Sequence, residues 1–312
     1  MSAESLSDGD VIVIISASRR TDIPAYYAAW FMRRIREGFC DVPNPYRHGQ
    51  ATHVDLRPEA VDAIVFWTRN PAPLMPYLDD LDALGYRYYF QFTVMDNPRL
   101  LEPNAPHTAA ALKTFTRLAE RIGPARIIWR YDPILFTPQM DSAFHRSTYE
   151  RLAAALRGST QRSVISIMDW YRKAEARFAA LADSSLTPLR GEGEILTQIR
   201  ELIPHLAAIA RENGMEITSC AEDHDLSVYG VKPGRCVDDA LLRDVFGLEI
   251  ESGKDPNQRP ACLCRVSRDI GTYDTCLSGC VYCYATRDFN QARRNYTILQ
   301  APVRGESNQP AR

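Results

Sequence analysis

Apolar, β-branched runs alternate with helical periodicities over the first 220 residues. "VIVIISAS" (11–18), "AIVFWT" (63–68), "YRYYFQFTV" (86–94), "ARIIWRYDP" (125–133), "SVISIM" (163–168) and "MEITSC" (215–220) read as six strands. Short, almost continuously apolar runs of this kind suit strands covered on both faces. Helical patterns separate them: Ala25 to Glu37, residues 71–85 with Gly85 as a stop, and Thr108 to Ile122 before Gly123-Pro124. Ser142 to Leu156 is another, and helical material then reaches Asn213. Each helix carries the chain back to start a further strand in the same direction, so six repeats predict a parallel sheet.

Nearly every predicted strand ends in polar residues: "SASRRTD", "WTRN", "QFTVMDN", "WRYDP", "SIMD" and "TSCAEDHD". An open doubly wound sheet gathers such residues at one switch point. A barrel builds its site from the carboxyl ends of all its strands. The expectation is an α/β fold, a partial (β/α)6-like TIM-type barrel over residues 1–225. Residues 39–58 hold either an extra strand around Thr52 to Leu56 or a long loop, and residues 183–195 read as a loop between two helices. From Leu226 onward Gly and Pro become frequent and the rhythm fades. Residues 226–300 are expected to form a cysteine-rich, cluster-binding extension packed on the barrel mouth, and 301–312 a disordered tail.

Composition narrows the partners. A formal net charge of −2 gives no global argument for nucleic acid or a membrane surface. No run approaches the roughly 18 apolar residues of a membrane span, and "MSAESLSDGD" is too polar and acidic for a signal or transit peptide. A cytoplasmic location is expected. There, eight cysteines should be thiols, and clustered thiols point to metal or redox chemistry rather than disulfides. Cys40 stands alone and reads as structural; the other seven fall in the last third.

"TCLSGCVYCYAT" (275–286) places Cys276, Cys280 and Cys283 in a CxxxCxxC spacing. Such a turn offers three soft thiolates to an iron–sulfur cluster and leaves one iron without a cysteine. Gly279 suits the tight turn, and Tyr282 sets an aromatic ring beside the last cysteine. A zinc knuckle is the alternative, but it needs a fourth ligand, from Cys264 or a histidine. Cys220, Cys236, Cys262 and Cys264 form a second group, with Cys220 at the end of the sixth strand and "ACLC" shortly before the loop. Four thiolates satisfy a second Fe–S cluster or a structural zinc. Cys220 and Cys236 also fit as small core residues.

The polar strand ends supply further candidates. Arg19 and Arg20 present guanidinium forks that match a carboxylate or phosphate, while Asp22 before Ile23-Pro24 reads as a helix N-cap. Arg130 and Asp132 share one strand face, either lining the barrel or forming an ion pair. Gln91 and Thr93 share a face and are candidate ligand contacts, whereas Trp67 and Trp129 read as core. Glu222, with Asp223 and His224, is a candidate for proton transfer. HExxH, GxGxxG, Walker and GxSxG patterns are all missing from the sequence.

The "CVYCYA" loop resembles the cluster loop of radical S-adenosylmethionine (SAM) enzymes, and is especially similar to those of spore photoproduct lyase-like members. The wider chain resembles the family called domain of unknown function 1848, in "ISASRRTDIPAYY" (15–27), "VDAIVFWTRNP" (61–71) and "KDPNQRPACLCRVSRDIGTYDTCLSGCVYCYA" (254–285). The loop resemblance implies a [4Fe–4S] cluster on Cys276, Cys280 and Cys283, with Tyr282 near bound SAM. It further implies reductive cleavage of SAM to a 5′-deoxyadenosyl radical, an unidentified small-molecule substrate, and an electron donor such as flavodoxin or ferredoxin. Two departures stand out: the loop lies at the opposite end of the chain from its usual place, and "WTRNP" stands where a Gly-Gly-Glu stretch is usual. The alternatives are a non-catalytic, metal-stapled barrel that binds an anion through Arg19 and Arg20, and a nucleic-acid repair lyase, which the near-neutral charge does not favour.

Overall fold

The computed structural model describes residues 13–45, 47, 49–250 and 253–300; the expected tail, 301–312, lies outside them. The strands are β1 (Ile14–Ala17), β2 (Phe39–Pro43), β3 (Ala51–Asp55), β4 (Ala63–Thr68) and β5 (Tyr88–Thr93). They continue with β6 (Ile127–Ile134), β7 (Arg162–Ile167), β8 (Glu216–Ser219), β9 (Lys232–Pro233) and β10 (Arg268–Asp269). The helices are α1 (Ile23–Tyr26), α2 (Ala28–Glu37), α3 (Leu78–Ala83), α4 (Thr108–Ile122) and α5 (Ser142–Leu156). After these come α6 (Arg172–Ala179), α7 (Glu192–Glu212), α8 (Asp239–Phe246) and α9 (Phe289–Gln300).

All six strands expected from the apolar runs are present, and they lie side by side in chain order. The eight-stranded sheet runs β10-β1-β4-β5-β6-β7-β8-β9, with every pairing parallel. No pairing joins β9 to β10 among the described residues, so the sheet is open rather than closed. The ambiguous stretch 39–58 is neither a lone strand nor a loop but an antiparallel hairpin of β2 and β3, outside the main sheet. The first expected helix is broken at Tyr27, whose φ of −127° ends α1 before α2 begins.

Local signals explain the helix ends. Asp141 caps α5 by accepting from Phe144 N at 2.9 Å. α4 stops at Gly123, followed by Pro124, because proline lacks the N–H that a further turn needs. Residues 183–195 are not wholly a loop; a 3₁₀ turn forms at Ser184–Leu186 and α7 begins at Glu192.

The two faces of the sheet are covered differently. Ile15, Phe66, Phe90, Trp129 and Ile165 pack against helical residues such as Phe31, Phe115, Leu152 and Leu206 in the main core. The alternate residues, Ile14, Val65, Tyr89, Ile128 and Val164, pack on the other face against Cys236, Val237, Leu241, Leu242, Cys262 and Cys264. Period-two alternation along the strands separates these sets. Residues 226–300 thus provide both edge strands and the cover of the second face. Among the described residues no helix is long and apolar enough to cross a membrane.

Candidate metal and ligand-binding site

A cavity of about 500 Å³ opens where the carboxyl ends of β1, β4, β5, β6, β7 and β8 meet the C-terminal segment. Its wall includes Arg19 after β1, Arg69 after β4, Thr93 on β5, Asp132 on β6 and Ser166 on β7. Cys220 follows β8, and all seven late cysteines reach the same wall. Cys40 lies buried in the hairpin instead, where desolvation pushes its thiol up to about 12.

The loop from Thr275 is pinned at several points. Val281 N donates to Leu101 O at 2.9 Å, Asn104 Nδ2 donates to Leu277 O at 2.8 Å, and Cys283 N donates to Cys280 O at 3.0 Å. Arg177 donates to the carbonyls of Thr286, at 2.6 Å, and Cys283. Gly279 has φ +72°, and an added Cβ would sit 3.1 Å from Pro103 and 3.2 Å from Asn104. Both constraints favour glycine at that turn. Burial pushes the Cys276 thiol up to about 11 and the Cys280 thiol higher still. The donor set is chemically that of a cluster, with three soft thiols on one loop of the cavity wall, although among the described residues they do not surround a common point as metal ligands.

Tyr282 is held by groups that sequence reasoning missed. Arg69 pairs with Glu102 through two hydrogen bonds of 2.7 and 3.0 Å; Glu102 is buried and Arg69 mostly so. The Tyr282 hydroxyl donates to Glu102 and accepts from Arg69. The only signal available was the polar end of "WTRN", because Glu102 sits in an unpatterned loop.

The second cysteine group is assembled from three segments. Cys220 and Cys236 have their sulfurs 3.2 Å apart. Cys264 Sγ accepts from Cys236 N at 3.2 Å and Val237 N at 3.5 Å. Contacts from Cys236 and then Cys262 hold the Cys264 thiol far below the usual thiol range. Arg130 Nη1 donates to Cys236 Sγ at 2.8 Å. Among the described residues no three cysteine, histidine or carboxylate side chains surround a common point as metal ligands.

The remaining expected residues divide between the wall and its supports. Arg130 and Asp132 both line the cavity and are also ion-paired, with Nε to Oδ1 at 2.9 Å. A register shift between Tyr131 and Ile134 accompanies this pair, where Pro133 cannot donate to the ladder. Gln91 leaves the wall to its neighbour Thr93; it bonds Arg130 Nη1 at 3.1 Å and Cys236 O at 3.0 Å inside the core. Arg19 lies over the Trp67 ring, 4.9 Å from its centroid, and donates from Nη1 to Ser267 at 3.2 Å. Its Nη2 is buried without a hydrogen-bond partner. Trp67, expected in the core, therefore lines the cavity. Arg20 lines it too, donates to Gly271 O at 3.3 Å and covers Tyr273.

Asp22 caps α1 by accepting from Ala25 N, and also holds Thr68 Oγ1 at 2.7 Å and Arg69 N at 2.8 Å. Burial pushes its carboxyl up to about 6. Glu222 lies off the wall, where its carboxylate accepts from Ile167 N at 2.8 Å, and burial raises its pKa. Asp223 and His224 are likewise not wall residues. Asp269 was also missed: it accepts from Ser16, Ser18, Arg19 N and Gly271 N, at 2.7 to 2.9 Å, and so fastens β10 to β1.

Fold and site together define a parallel α/β protein whose carboxyl-edge cavity is walled by thiols and guanidinium groups. The chain belongs to the family Domain of unknown function (DUF1848), which matches residues 14–285 and so includes both cysteine groups. No curated protein matches the chain.

Proposed function

We propose that this protein is an iron–sulfur enzyme of the radical SAM type, acting on a small molecule held in the cavity. The observation that carries the reading is the placement of Cys276, Cys280 and Cys283 on one wall of a cavity of about 500 Å³, a volume within the usual range for cofactor sites. A [4Fe–4S] cluster on those thiols, reduced by a carrier such as flavodoxin or ferredoxin, would supply the electron for cleaving SAM at the iron that lacks a cysteine.

The chain's own residues prepare this site. Arg69 and Glu102 fix Tyr282 beside the cysteines. Arg19 Nη2, buried and unpartnered, offers a guanidinium N–H to a carboxylate or phosphate. Thr93, Ser166 and the Arg130–Asp132 pair furnish neutral and charged contacts opposite. The sheet is read as a partial barrel, because its six central strands keep chain order without the reversal of a doubly wound fold. Reduced thiols in this number suit a cytoplasmic location.

Anaerobic reconstitution with iron and sulfide, followed by electron paramagnetic resonance with and without SAM, tests the reading. The expected result is a reduced [4Fe–4S] signal that shifts on adding SAM and is absent in Cys276→Ala. A protein that takes up no acid-labile sulfide, or whose cluster signal ignores SAM, would sink it.

A further inference from the structure

We infer that Cys220, Cys236, Cys262 and Cys264 form a second, closed site for one thiophilic ion, zinc, independent of the loop cluster. Four thiols from the end of β8, the segment after β9 and the stretch before β10 converge on the second face of the sheet. Chance burial would not also bring donors to their sulfurs. Backbone N–H groups of Cys236 and Val237 aim at Cys264, and a guanidinium N–H of Arg130 aims at Cys236. Donors of this kind stabilise sulfur as thiolate, the form that binds metal.

The one close sulfur pair suits a single ion better than a four-iron cube. Sulfurs placed tetrahedrally at about 2.3 Å from zinc stand about 3.8 Å apart. Zinc binding would open the Cys220–Cys236 contact of 3.2 Å to that separation and draw in Cys262 and Cys264, whereas a four-iron cube would have to force the sulfurs much further apart. Four thiolates around a divalent cation leave two negative charges, and Arg130, itself ion-paired to Asp132, donates to one of the four sulfurs. Binding releases the thiol protons to solvent and transfers no electrons. With four protein ligands the site has no open position, so its role is to fasten the C-terminal segment to the sheet.

The test uses the full chain with Cys276→Ala, Cys280→Ala and Cys283→Ala, which removes the loop site and keeps the two questions apart. Metal content and the visible spectrum of the cobalt(II)-substituted protein are measured. The expected outcome is about one zinc per chain and the intense bands of tetrahedral cobalt thiolate, both lost when Cys264→Ala is added. If that variant fails to fold, alkylation of the unsubstituted protein decides: Cys220, Cys236, Cys262 and Cys264 should be protected together and released together by a chelator. A triple variant without metal, one with a Cys220–Cys236 disulfide, one holding iron and sulfide, or four thiols that react independently of chelator would each overturn the inference.

Discussion

Glu102 illustrates what a single buried residue decides here. It is the anionic partner of Arg69, and the pair sits almost out of solvent against Tyr282. Removing one member of a buried pair leaves the other charge uncompensated, at a cost of about 3–5 kcal/mol. Glu102→Ala should therefore lower stability by about that amount in urea unfolding, and Arg69→Met in the same chain should recover much of the loss. A loss within the range of exposed ion pairs, below about 1 kcal/mol, would mean that the pair is not desolvated. The cysteines were legible in the sequence because their chemistry is written in local spacing. Glu102 and Asp269 were not, because their partners lie outside any local pattern: Arg69 and Tyr282 are 33 and 180 residues from Glu102, and Ser16 and Arg19 are 250 or more from Asp269. Glu222 looked chemical for the opposite reason: it follows Cys220 closely in sequence, yet it spends its carboxylate on the backbone of β7.

At the scale of elements, α5 is locked onto β6 by one histidine. His145 is fully buried; Nδ1 meets the Tyr131 hydroxyl at 2.9 Å and Nε2 meets Leu135 O at 3.0 Å. The neutral ring satisfies both, donating from Nε2 and accepting at Nδ1. Desolvation pulls its pKa down to about 4 from 6.5. The unfolded chain then binds the proton more tightly than the folded one, so this contribution is full above about pH 6.5 and is lost as pH falls toward 4. The shift corresponds to roughly 3 kcal/mol. Urea unfolding from pH 7.5 to 4 should show the gap between the unsubstituted protein and His145→Asn narrowing by about that much; a constant gap would exclude the linkage. Elements like α5 and β6 were legible because each carries a long apolar period and its own stop signals. The two-residue strands β9 and β10 have no such pattern, and tertiary contacts alone define them. Tyr27 likewise breaks a helix whose periodicity runs straight through it.

For the whole molecule, the decisive feature is the second face of the sheet. Residues 226–300 read in sequence as an extension of a finished barrel, but the folded chain uses them as a layer. Ile14, Val65, Tyr89, Ile128 and Val164 are each at most 3% exposed only because that segment lies over them. Burying one such side chain contributes about 1.5–3 kcal/mol, so uncovering five forfeits on the order of 10 kcal/mol. That equals the entire stability of an ordinary domain, about 5–15 kcal/mol. Truncation would also strip β1 of β10 and β8 of β9, leaving bare edges on both sides, and would take Cys236 away from buried Arg130. A chain ending at residue 225 should therefore fail to pack natively. It should show little near-ultraviolet circular dichroism, bind a hydrophobic dye strongly, and unfold without a cooperative transition. A soluble, cooperatively unfolding fragment that ignores the dye would show instead that the helical face alone sustains the sheet and that the cysteine-bearing layer was added to a domain already complete.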